Sequence, residues 1–129
     1  VRPVDGTQDA EASRTSIKDA LSDVLNQFPN ADLLNLQQEQ RELAIERFVA
    51  ADVFRRVDLD IGRTIREKAP SAAMGLGRLK EVREYVRQTV SASFRRLRDT
   101  GQQMSTGRVT QIVQMAIRET FLVFEGYAE

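Results

Sequence analysis

The chain of 129 residues contains no cysteine, no histidine and no tryptophan. Without cysteine there is no disulfide framework and no thiolate nucleophile, and without histidine there is no imidazole base and no Cys/His zinc site. Serine is present, but no histidine can activate it, so the usual parts of nucleophilic catalysis are missing. No apolar run reaches the roughly 18 residues that a membrane span needs. The opening VRPVDGTQDAEAS has no apolar stretch of the secretory kind. Cytoplasm is therefore the default compartment. Translation begins with Met and this sequence begins with Val1, so the chain is expected to be a piece of a longer protein.

Neither sign of charge prevails, with 19 basic against 19 acidic side chains. Their distribution is uneven. Residues 1–32 carry 3 basic and 6 acidic side chains, residues 33–70 carry 7 and 7, and residues 71–100 carry 7 and 3. Only one segment is clearly basic, and its cations are mostly arginine.

Proline occurs three times and glycine seven times, which leaves long stretches free of either. Residues 1–13 are small and polar without an apolar period, and read as a flexible tail or linker. Beyond them apolar residues recur at three- and four-residue spacing, and no strand-like alternation competes. The spacing predicts four main helices, at Thr15 to Phe28, Leu33 to Ala69, Ser71 to Arg98 and Gly107 to Glu125. Asp32, Ser71 and Thr106 are suited to cap the second, third and fourth. Pro29 and Pro70 stop the first and second, and Gly101 suits a left-handed helix terminus.

The second predicted helix is apolar over a wide arc, as expected of a central helix with neighbours on more than one side. Gly62 is where it can bend or split. The expected architecture is all-α, a bundle with a long central second helix, filling one domain over residues 14–129. Its core is expected to include Leu21, Val24, Phe48, Phe54, Val57, Ile61, Leu79, Val82, Val86, Ile112 and Ile117.

Three stretches carry enough polar chemistry to weigh. In VDLDIG, Asp58 and Asp60 stand among Val57, Leu59 and Ile61, and could be a carboxylate pair on a metal or a water. Residues two apart on a helix point about 200° away from each other, however, so the two cannot converge on one ion. Structural ion pairing is the better reading, with Asp60 to Arg63 at a suitable spacing and arginines of the third helix as candidates for a buried Asp52 or Asp58. The third helix offers Arg83, Arg87, Arg95, Arg96 and Arg98, a face that could lie along nucleic acid phosphates. Glu81 and Glu84 interrupt it and few aromatic residues accompany it, so a solvated face or a docking face for an acidic partner is favoured. STGR, Ser105 to Arg108, is as much an ordinary helix cap as an anion site.

One stretch of 40 residues, ADVFRRVDLDIGRTIREKAPSAAMGLGRLKEVREYVRQTV from Ala51 to Val90, resembles the helical region of accessory proteins from bacterial anti-phage defence operons. The resemblance implies a component of a multi-protein assembly whose enzymatic work is done by other subunits. It carries over no functional residue.

These readings converge on a non-catalytic helical domain that binds protein, as scaffold, adaptor or oligomerisation module, with no cofactor, no metal and no small-molecule substrate. The interface is expected at the end of the last helix. In FLVF, Phe121 and Phe124 share the core side while Leu122 and Val123 turn away from it, and Tyr127 follows. A protein partner or a second copy of the chain would cover them. The alternatives are nucleic-acid binding through the arginine helix, and a metal-dependent enzyme using Asp58 and Asp60.

Overall fold

The computed structural model describes residues 3–128. Among these the architecture is all-α, with four main helical elements and no strand. Helix α1 spans Pro3–Gln27 and helix α2 spans Gln38–Val57. A π-helical turn over Asp58–Gly62 joins α2 to α3, Arg63–Lys68, so that the second element is one long helical run from Gln38 to Lys68. Helix α4 spans Ala72–Asp99, helix α5 spans Thr106–Phe124, and a 3-10 turn over Glu125–Ala128 follows.

Local chemistry sets most of these boundaries. Ser71 and Ser105 are the N-caps of α4 and α5, their hydroxyls accepting from the backbone N–H of Met74 at 3.1 Å and of Arg108 at 3.2 Å. The cap of α5 is thus Ser105, with Thr106 the first helical residue. Ala69 is extended, as a residue before proline must be, and closes α3. Gly101 has φ +69°, and at the end of α4 the N–H groups of Gly101 and Gln102 donate to the carbonyls of Arg98 and Leu97. That is a Schellman closure, and the positive φ is why glycine stands there.

Two boundaries differ from expectation. Helix α1 begins twelve positions before Thr15 and takes in most of residues 1–13, of which Val1 and Arg2 lie outside the described residues. Amphipathic period reports burial rather than helicity, so it is silent over a polar helical segment. Helix α2 begins five residues after Leu33, and Asp32 does not cap it. Asp32 Oδ1 accepts instead from the N–H of Leu34 at 3.0 Å, a local turn that aspartate favours. The working start is Gln37, whose N–H donates to Gln40 Oε1 at 3.0 Å, one half of a capping box.

The chain forms two compact units, residues 1–52 and 53–129. In the first, Ala20, Val24, Val49 and Ala50 are buried, and so is the carboxylate-bearing Glu46. Arg47 pairs with Asp23 at 3.7 Å. In the second unit α4 packs against both α3 and α5. Its stripe of Leu79, Val82, Val86, Val90 and Phe94 is buried together with Val53, Val57, Ile65, Ile112, Ala116 and Phe124. Of the expected core, Val24, Val57, Leu79, Val82, Val86 and Ile112 are buried, whereas Leu21, Phe48, Phe54, Ile61 and Ile117 are half-buried. Gly75 is where α4 comes closest to α3, for a Cβ there would lie 3.3 Å from Arg66 Cα and 3.5 Å from Ala69 Cβ.

Candidate functional site

The π-helical turn is built from the stretch DLDIG. A turn of this kind holds one residue more than an α-helical turn and often coincides with functional positions. Here Gly62 is buried and has ordinary helical angles, φ −60° and ψ −42°. Space and not conformation explains this glycine: a Cβ at position 62 would meet the carboxylate of Asp58, which would have to swing aside. The helix widens at this point rather than splitting.

The two carboxylates of the turn do not meet. Asp58 is half-buried and pairs with Arg66 at 3.3 Å, while Asp60 is exposed. Arg63 pairs with Glu67 at 2.9 Å across one helical turn, and not with Asp60. The partner of Asp58 also comes from α3 of the same helical run, not from the next helix. Among the described residues no group of three or more acidic side chains could hold a metal ion.

Four of the five candidate arginines of α4 share one broad arc, and Arg96 lies apart from it. Taking about 100° per residue, Arg87 and Arg98 lie roughly 40° and 60° from Arg83, Arg95 about 120° away in the same sense, and Arg96 about 140° away in the opposite sense. Arg83 borders one edge of the buried stripe and Arg96 the other. Arg83 lies over the ring of Phe54, 4.6 Å from its centroid, a cation–π contact that occupies the guanidinium face. Arg87 and Arg98 also have interactions within the protein. Of the arginine face, Arg96 stands apart and Arg83 is engaged with Phe54.

At the C-terminal end the split within FLVF is clear. Phe124 is buried and Phe121 half-buried, whereas Leu122 and Val123 are 61% and 52% exposed. Tyr127 has an internal role. Its hydroxyl donates to Glu81 Oε2 at 2.8 Å, and Arg78 lies over its ring at 4.6 Å. Phe124 sits between Tyr85, edge-on at 5.5 Å, and Tyr127 at 5.8 Å. These contacts fasten the 3-10 turn onto α4. The hydrogen bond to Glu81 raises the phenol pKa above its usual value, helped by partial burial and the Glu81 charge and opposed by Arg78. No sequence spacing links Tyr127 to Glu81, which lie 46 positions apart.

Among the described residues no helix is long and apolar enough to cross a membrane. No curated protein and no solved structure matches the chain. The family described as Qat anti-phage system associated protein QatB matches residues 1–124, well beyond the 40-residue stretch around the π-helical turn. An all-α chain matched over nearly its whole length in this way belongs to the QatB family of anti-phage system associated proteins.

Proposed function

We propose that this chain is a non-catalytic, cytoplasmic accessory subunit of its anti-phage system and works by binding protein through the outer face of α5. The observation that carries the reading is the exposure of Leu122 and Val123, the two residues directly before a buried Phe124. Burying a leucine or valine side chain is worth about 1.5–3 kcal/mol. The pair is also held rigidly, because Phe124 and the Tyr127 contact to Glu81 fix the end of α5 against α4. A preorganised apolar patch loses little entropy on docking. The occupant is a second copy of the chain or another protein of the same system.

Several features support a binding role over catalysis. Of the two carboxylates in the π-helical turn, Asp58 is taken up by Arg66 and Asp60 stands exposed, so they do not form a joint site. The family description names an associated protein rather than an activity. Sedimentation velocity at several concentrations separates the two occupants. A homodimer gives a concentration-dependent shift that Leu122→Ser with Val123→Ser abolishes. A monomer at all concentrations leaves a different protein of the system as the partner. A dimer that survives the double substitution shows that α5 is not the interface.

A further inference from the structure

The second unit contains an open cleft of about 480 Å³ where the end of α4 meets the start of α5. Arg96, Arg108, Gln102 and Gln111 line it, with Leu97 and Ile112 as apolar wall, and no carboxylate is among the lining residues. Arg108 is set in place by its own bonds, since Nη1 donates to the Gln103 carbonyl at 2.6 Å and its N–H donates to Ser105 Oγ at 3.2 Å. Its remaining N–H groups are left on a fixed fork. Arg96 is exposed and comes from the edge of α4 opposite Arg83.

Two guanidiniums at one cleft without a carboxylate between them repel each other, and a bound anion relieves that repulsion. The Gln102 and Gln111 amides can donate to the same head group. The apolar wall adds a requirement that a bare ion does not meet. Volumes of about 300–1,000 Å³ are usual for small-ligand sites, where a few placed polar groups set the specificity. We propose that this cleft binds a small organic anion, a carboxylate or phosphate monoester carried on an apolar or planar body. The guanidiniums take the charge and Leu97 with Ile112 take the body. The cleft lies at the opposite end of α5 from Leu122, roughly 16 Å along the helix from Gln111, and the proposal does not depend on the protein-binding reading.

The test is amide chemical-shift titration of the whole chain with three probes at millimolar concentration: phenyl phosphate, 3-phenylpropionate and inorganic phosphate. At least one aromatic anion shifts the amides of Gln102, Arg108 and Gln111 saturably, and which one does so identifies the head group. Inorganic phosphate binds about tenfold more weakly, because it cannot use the wall. Arg96→Ala, a surface change that leaves the fold intact, weakens the aromatic anion about tenfold. Arg108→Lys does the same, because lysine keeps the charge and loses the fork. The proposal is overturned if neither aromatic anion gives saturable shifts at these amides. Inorganic phosphate binding as tightly as phenyl phosphate also overturns it, as does undiminished binding by both arginine variants.

Discussion

Arg66 Nη1 lies 3.3 Å from Asp58 Oδ1 although the two residues stand eight positions apart in one helical run. Eight residues of regular α-helix rise about 12 Å, too far for most side-chain pairs. Two features close the gap: helical side chains lean toward the N-terminus, and the π-helical turn between them sets a wider, shorter path. The same carboxylate fills the space that a side chain at position 62 would need. Position 58, position 62 and the ion pair are therefore one local device.

That device predicts a coupling. Replacing a helical glycine by alanine ordinarily stabilises by about 1 kcal/mol. Gly62→Ala in the parent chain is expected to be neutral or destabilising, because its methyl displaces the Asp58 carboxylate from Arg66. In an Asp58→Ala background the same change is expected to stabilise by about 1 kcal/mol. Urea unfolding of the four chains measures it. An equal gain in both backgrounds would show that Asp58 does not occupy that space.

Gly75 and Gly77 look alike in the sequence and differ in their surroundings. A Cβ at Gly77 meets nothing within 4 Å, whereas one at Gly75 presses on the backbone of Arg66 at 3.3 Å. Gly77→Ala is expected to stabilise by roughly 0.5–1 kcal/mol, and Gly75→Ala to destabilise by forcing α4 away from α3. Thermal unfolding of each variant decides between this and a uniform glycine effect.

Much of this fold is written in residues that act locally. Ser71, Pro70 and Gly101 set their boundaries through their own caps, ring and φ, and the α4 stripe from Leu79 to Phe94 announces its burial by period alone. What was not legible depends on contacts distant in the chain or on helix without an apolar face. Period cannot register α1 before Thr15, nor tell that Asp32 would serve a turn while Gln37 and Gln40 start the helix. At the candidate sites, spacing placed Leu122 and Val123 away from the core, and both are exposed. It could not foretell that Arg83 covers Phe54 or that Tyr127 reaches Glu81, since both need the tertiary structure.

The Tyr127 to Glu81 contact predicts a pH dependence. A phenol whose folded pKa is raised favours the folded state while protonated. Its contribution is complete below the ordinary tyrosine value of about 10 and is lost as pH rises through the higher folded value. Tyr127→Phe is accordingly expected to be less stable than the parent at neutral pH, with the difference vanishing in strong alkali. Absorbance titration should show one tyrosine ionising later than in the Glu81→Gln variant. Coincident titration curves would mean the hydrogen bond is absent in solution.

The central claim is that the outer face of α5 is where this chain meets protein. The most direct measurement is co-purification of the full-length protein from its own cells, with other proteins of its anti-phage system co-expressed, comparing the parent with Leu122→Ser plus Val123→Ser. The account predicts that the parent retains either a second copy or one other component of the system at stoichiometric level. The double variant, with unchanged circular dichroism and melting temperature, should lose it. Retention of the same partner in the same amount by the double variant, or a parent that holds neither a second copy nor a component of its system, would contradict it.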